Sequence, residues 1–508
     1  MYRIPFWIRV LTSLALASQA LHADDAVSKL KLVDAINQGL ANNLSLKIER
    51  ISPLIEEEGL IEEQAAFDPT LFGNASWRES EQAWIDAEGA ERQTTSESRA
   101  YNAGVTKKLS TGADLTASVN NSRSTGSSFS SDLNQVVGGD RNDEASFSLS
   151  ITQPLLQNFG SRVNRASIRQ AESRQQEAMY RLQNETTDLL ETIEIAYWQL
   201  ADSYERRSLS QSNIELAEDQ LSESEARQRA GMATKIEILQ AEANLARRKQ
   251  EIIQAEEAIS NAADTLMASI GALGENVAID NRPMVQKLSQ PNTQIAPFEK
   301  VLASTFENNF DTAIQNEILR QLEQNLILAR NSNRPELDLT LASSYNGLSS
   351  IDSQDAFEQA LDRKGDDWNL RLGFSLPWGK RASKANVRQT EYTIDQAHLR
   401  LAEIKQDLIQ TIRSSWRSLQ TSQDQLQAAK VVVELQQATY DQEKGKYDEG
   451  LSSLRDVLET QRDLDAAILD FLDAQLSTVT AEIRLARVQG TLLERHKLNW
   501  DELPASKN

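Results

Sequence analysis

The chain has 508 residues, with 75 acidic against 53 basic side chains, a net charge of −22 and no cysteine. The missing cysteines exclude a disulfide framework, a thiol nucleophile, a Cys-bound metal and a lipid-modified N-terminal cysteine. The acidic balance argues against nucleic acid or an anionic lipid surface as the main partner, and His22, His398 and His496 are the only histidines. No metal site, cofactor or catalytic constellation is expected, and so no enzyme.

The first 23 residues read as a secretory signal peptide. Arg3 and Arg9 supply the positive end, and a short apolar stretch runs from Val10 to Ala17. Cleavage fits after Ala20 or after Ala23. The apolar run is shorter than the ~20 residues of a membrane-spanning helix. No later stretch is long and apolar enough to span a bilayer as a helix. An exported protein follows, either soluble or held in a membrane by strands.

A first unit, residues 24–290, opens with helical pattern over 29–66 and reaches Pro69. Alternating strand pattern follows over about 69–155. Four strands are expected there, with Ser110-Thr111-Gly112 as a tight turn between two of them. Ser, Gly, Asn and Asp make 81–98 and 123–144 read as exposed loops. Pro154 and Gly160 mark the turn into long helices over 160–275. The stretch from Gly160 to Ala230 has no proline and no glycine after Gly160, so one helix of roughly 70 residues and ~105 Å is expected. Gly231 sits where a helical hairpin must turn, and Thr234-Lys235-Ile236-Glu237 fits a capping box.

A second unit, residues 291–508, repeats this order. Helix is expected over 296–333, then Pro335, two strands over about 336–377 separated by a loop at 348–366, then Pro377, Gly379 and long helices over 380–497. Gly450 marks the second hairpin tip, and Ser453-Leu454-Arg455-Asp456 fits a second capping box. "GSRVNRASIRQAE" (160–172) and "GKRASKANVRQTE" (379–391) share six of thirteen positions at an offset of 219. That offset also pairs Tyr197 with Trp416 and Gly231 with Gly450. Upstream the offset is 266, pairing Asn42-Asn43 with Asn308-Asn309 and Pro69 with Pro335. The 47-residue difference places an excess in the first unit, between about Trp77 and Gly160. The mature chain therefore reads as two copies of one unit.

Strands of about 8–12 residues suit a membrane barrel. A single-chain barrel needs at least about eight strands, and this chain offers six, or four by a conservative count. Backbone groups in lipid tolerate no open edge, so such a barrel has to close by sharing strands among chains.

Four stretches carry a resemblance: "QPLLQNFG" (153–160), "PWGKR" (377–381), "AYWQL" (196–200) and "YDEGLSSLRDVLETQ" (447–461). With the duplicated architecture, they make the chain resemble the outer-membrane efflux protein family, the TolC-like channels, over essentially its whole mature length. The resemblance implies a homotrimer in the outer membrane, with one shared β-barrel and a periplasmic tunnel of coiled-coil hairpins. It implies passive conduction in a tripartite efflux or type I secretion system, driven by an inner-membrane transporter through a periplasmic adaptor. It implies acidic rings of Asp456 and Glu459 at the closed tunnel end, with Glu237 and Tyr447 at the same constriction. Ser452 stands where the family pattern has a closed-state arginine. The tips, with Arg227, Gly231, Gly450, Ser452 and Ser453, are candidates for adaptor docking. Pro69, Pro154, Gly160, Pro335, Pro377 and Gly379 are expected only to shape strand–helix junctions. The family pattern has four strands per chain. The extra hairpin around Thr111 either joins the barrel, giving eighteen strands per trimer, or lies outside it, leaving twelve. The competing reading is a periplasmic coiled-coil adaptor of a transporter complex.

Overall fold

The computed structural model describes residues 29–498, apart from 86, 88, 90, 131–134, 139–140, 276, 280 and 289–294. The signal segment and the boundary between the two units at 290/291 lie outside the described residues. Among the described residues no helix is long and apolar enough to cross a membrane.

The chain opens with three short helices, α1 (Leu32–Asn42), α2 (Leu44–Glu49) and α3 (Ser52–Ala65). Pro69 then ends helical structure, because its fixed ring removes a donor and disfavours helix in the residue before it. Strands β1 (Thr70–Ile85), β2 (Glu91–Lys108), β3 (Asp114–Ser130), β4 (Gln135–Gly138) and β5 (Asn142–Pro154) follow. A one-turn helix α4 (Ser161–Asn164) leads into α5 (Ala166–Arg229) and α6 (Lys235–Ser269). The second half repeats the plan with α7 (Phe298–Asn308), α8 (Phe310–Ser332), β6 (Glu336–Ser349), α9 (Ser353–Leu361), β7 (Gly365–Ser375), α10 (Arg381–Asp448), α11 (Leu454–Val488) and α12 (Leu492–Arg495).

At 64 residues, α5 is ~96 Å long. It starts six residues after Gly160 because Arg165, at φ −103° and ψ 9°, breaks the turn that α4 begins. Four helices pack side by side at each level. Nearer the sheet these are α3, α5, α8 and α10; farther away they are α5, α6, α10 and α11. The largest apolar core lies between these levels, where Ile36 and Leu40 of α1 meet Ile193 and Tyr197 of α5 and Leu266 of α6.

The same contacts recur at the two offsets. The Tyr197 hydroxyl donates to the Leu30 carbonyl at 2.7 Å, and the Trp416 indole donates to the Ala296 carbonyl at 3.1 Å. Asn43 caps α2 by accepting from Leu46, and Asn309 caps α8 by accepting from Thr312. Gly271, at φ +68°, leaves no room for a Cβ against Asn42, and Gly490, at φ +71°, leaves none against Asn308.

The six long strands form one antiparallel sheet in the order β1-β2-β3-β5-β6-β7, and β4 adds a short pairing to β3. Thus the hairpin around Thr111 lies within the sheet. Its connection docks at the strand–helix junction: Gly160 N–H donates to the Thr111 carbonyl at 2.9 Å, and Gly112 turns at φ +95°. The register sorts the side chains by face. Phe147, Leu149 and Ile151 of β5 share one face with Val119, Ala117 and Leu115 of β3, and Ile151 continues through Leu341 of β6 to Leu370 of β7. Leu71, Trp77, Tyr101, Trp368 and Phe374 on this face are exposed in the single chain. The other face is mostly hydroxyls and amides, with Phe72, Asp338 and Arg371 among them; on it Ser118 meets Ser148 at 2.7 Å and Thr152 meets Thr340 at 3.1 Å.

Three expected loops are largely ordered elements. Much of 81–98 is the outer half of β1 and β2, and much of 123–144 is β3, β4 and the start of β5. The stretch 348–366 contains α9. Ser, Gly and Glu there are the residues of solvated strand ends, and cross-strand pairing outweighs their low intrinsic strand preference. Helix α9 lies on the apolar face near the sheet's outer end. Its Ala356 and Ala360 are buried, and a Cβ on Gly347 would run into the Ala356 carbonyl. Phe357 packs on Phe147 with ring centroids 6.0 Å apart. The buried Asp143 accepts from Arg123 at 2.8 Å and from Ser353 at 2.7 Å, tying the start of α9 to β3 and β5.

Candidate functional site: the helical hairpin tips

The two tips at the end away from the sheet use one backbone solution. At the first, Gly231 has φ +78°, Met232 N–H donates to the Arg227 carbonyl and Gly231 N–H to the Gln228 carbonyl, both at 2.8 Å. At the second, Gly450 has φ +78°, Leu451 N–H donates to the Lys446 carbonyl at 2.8 Å and Gly450 N–H to the Tyr447 carbonyl at 3.0 Å. These crossed bonds close each helix end on a left-handed residue, the conformation glycine adopts without steric penalty. Both capping boxes are complete, Thr234 with Glu237 on α6 and Ser453 with Asp456 on α11. Leu454, Val457 and Leu458 then pack against Tyr440, Tyr447 and Ala241.

The acidic residues divide by environment. Asp456 is fully exposed, and hydrogen bonds from the Ser453 side chain and backbone hold its carboxyl below the ordinary value. Glu459 is exposed one turn further along, and among the described residues no hydrogen bond or ion pair engages it. With Asp463 they form an exposed acidic line at spacings of three and four, one face of α11. At the first tip the offset of 219 sets Glu237, Gln240 and Asn244 against these three acids, and Ile236 and Leu239 are exposed at 65% and 54%, where the second tip has Arg455 and the buried Leu458.

Arg227 joins the tips. Its guanidinium stacks 4.3 Å from the centre of the buried Tyr447 ring, pairs with Glu223 at 3.1 Å and with Asp448 at 3.8 Å, and donates to the Tyr447 carbonyl at 3.4 Å. Burial pushes the Tyr447 hydroxyl up, opposed by the nearby Arg227 charge. Ser452 donates to Glu443 back on α10, closing the tip loop within its own hairpin. Above the tips, polar contacts tie α11 to α5 and α6: Gln220 to Gln461 at 3.3 Å, Arg248 to Asp465, and Arg206 to Asp473.

Comparison with known proteins decides what this body is. The family described as "Outer membrane efflux protein" matches residues 112–272 and 302–491, more than half of the chain. The chain belongs to the outer membrane efflux protein family. It is similar to the outer membrane protein TolC of Escherichia coli (strain K12), 23% identical over 370 residues covering 71% of this chain and 72% of TolC. It is also similar to the outer membrane efflux protein BepC of Brucella suis biovar 1 (strain 1330), 23% identical over 349 residues covering 68% of this chain and 72% of BepC. The fold matches the CmeC outer membrane channel of Campylobacter jejuni with a TM-score of 0.64 at 17% identity, over 92% of this chain and 90% of CmeC. This efflux protein is therefore an outer-membrane protein with a large periplasmic part. The family match starts at Gly112, so β1 and β2 lie outside it.

Pro69 and Pro335 each stand just before the opening strand, β1 or β6; Pro154 ends β5, and Pro377 follows β7. Gly160 and Gly379 turn into helix at φ +93° and +82°. The Arg227–Tyr447 contact and the ties from α5 and α6 to α11 were not anticipated. They join residues more than 200 positions apart, and neither helical period nor capping pattern carries a signal for such pairs.

Proposed function

We propose that three copies of this efflux protein close their sheets edge to edge, β7 of one on β1 of the next, into one outer-membrane barrel over a common periplasmic tunnel. The observation that carries this reading is the open sheet: its apolar face runs through all six long strands, yet β1 and β7 each leave an edge unpaired. In hydrocarbon such edges cost several kcal/mol per unsatisfied group. The recurring contacts at two offsets support an origin of both halves, about 24–290 and 291–508, from one duplicated unit. The duct conducts passively, as the exit of a tripartite efflux or type I secretion system. An inner-membrane transporter supplies energy and a periplasmic adaptor seats on the tips.

Three copies of α11 bring Asp456 and Glu459 into two rings of up to six carboxylates around a narrow axis. Such rings favour cations. Glu237 and Tyr447 brace the constriction from behind. Single-channel recording on the purified protein in planar bilayers tests this reading. The wild type is expected to prefer cations, and the D456A/E459A double variant to lose most of that preference while conducting more. Unchanged selectivity and conductance would reject the rings.

A further inference from the structure

We infer that the barrel of this efflux protein is eighteen-stranded and as wide as its helical tunnel, so that it passes bulky hydrophilic solutes. The inference rests on the trimeric duct proposed above. The hairpin of β2 and β3 has the side-chain pattern of a barrel wall. Ala103 and Val105 of β2 face Val119 and Ala117 of β3 and continue the apolar face of their neighbours, with Tyr101, opposite Asn121, and Leu115, opposite Lys107, at its two ends. A hairpin folded into water outside the membrane has no use for that continuity, since exposed apolar surface is costly there. The join to β1 is tight as well: a Cβ on Gly104 would meet Phe72 Cζ at 2.6 Å and the Ala117 carbonyl at 2.5 Å, so the glycine seats the Phe72 ring. At the outer end of the band Trp77, Tyr101, Phe147, Tyr345 and Trp368 stand at the level of an interfacial aromatic belt.

Strand spacing turns the count into a diameter. Strands ~4.8 Å apart and tilted by ~40° close on a backbone diameter of about 36 Å for eighteen strands, against about 24 Å for twelve. Four helices per chain at each level make a ring of twelve. At an interaxial distance of ~9.5 Å that ring has a diameter of about 37 Å. Eighteen strands therefore sit on the tunnel without a constriction at the junction. With ~5 Å of side chain on each wall, the barrel keeps a bore of about 26 Å, where twelve strands would leave about 14 Å. Apart from Phe72 the inner wall is polar, as at the Ser118–Ser148 contact, which wets the bore.

The chain has no cysteine, so one introduced thiol reports the bore directly. In native outer membranes, S148C on the polar face is expected to react both with a small hydrophilic maleimide and with a polyethylene-glycol maleimide of ~10 Å radius, a size a twelve-strand bore would exclude. L149C on the apolar face is expected to react with neither. A variant lacking residues 89–140, which joins β1 directly to β5, is expected to keep the small reaction at S148C and lose the large one. Small but not large labelling of the full-length S148C protein would overturn the wide barrel and leave the duct standing. Labelling of L149C in place of S148C would reverse the faces and overturn the duct itself.

Discussion

The tip joining α5 to α6 and the tip joining α10 to α11 share a backbone and differ in chemistry. Both turn on a glycine at φ +78°, and both helices that follow start with a complete capping box. Asp456 on α11 corresponds to Glu237 on α6. Glu459, however, corresponds to Gln240 and Asp463 to Asn244 at the same offset, so the line of three acids on α11 keeps one on α6, where the exposed Ile236 and Leu239 stand in place of Arg455 and the buried Leu458. Apolar positions at helical spacing suit packing against another helix, whereas an acidic line suits water. The shared part thus builds a hairpin end twice, and on the reading proposed above the differing part sets α6 to packing and α11 to the bore.

Exchanging the differing residue should break this division most sharply. E459Q is expected to weaken cation preference several-fold in single-channel recordings, while Q240E leaves it nearly unchanged because its carboxylate lies off the axis. Equal effects of the two would mean that both helices line the bore. A different change is expected from R227A, which removes the cation–π contact with Tyr447 and the pairs with Glu223 and Asp448. A contact of this kind stabilises by about 0.5–2 kcal/mol. Loosening it should raise open probability by roughly 2- to 30-fold without altering selectivity. A change of selectivity instead would make Arg227 part of the filter.

The tips also mark what a sequence carries well. Gly231, Gly450, Thr234 and Ser453 were legible because each solves a local problem: a left-handed turn or an orphaned N–H within four residues. Pro69 and Pro335 were legible for the same reason. The outer halves of β1, β2 and β3 were not, because Ser, Thr and Glu there take extended form only when a partner strand supplies the hydrogen bonds. Helix α9 was hidden too. Its nine residues are held by Ala356 and Ala360 against Gly347 and by Ser353 on Asp143, contacts that exist only once β5 and β6 have paired. Glu459 was singled out by elimination, as the acid of the opening turns that no cap explains, and the exposed, unengaged carboxylate on α11 fits that logic.

The smallest expected difference between the tips lies in their caps. Replacing an N-cap Ser or Thr by Ala costs about 1 kcal/mol, so S453A and T234A should destabilise their hairpins to a similar extent. The cost is local, and amide exchange in the first turn of α11 or α6 reads it. Acid adds a further check at the second tip. The Asp456 carboxyl is held below its ordinary 3.8 in the folded chain, first by the Ser453 side chain. A depressed acid contributes stability that is fully present above its unfolded value and lost as pH falls through its folded value. Exchange at the start of α11 should therefore accelerate as pH falls from about 3.8 through the lower folded value, where protonation weakens the carboxyl as an acceptor of the Ser453 N–H. D456N keeps an acceptor that does not titrate, and its first turn should exchange at a rate independent of pH once the intrinsic chemical rate is divided out. If D456N retained the acid-induced acceleration, another group would have to hold the cap, and Glu443, bonded to Ser452 across the loop, is the one placed to do it.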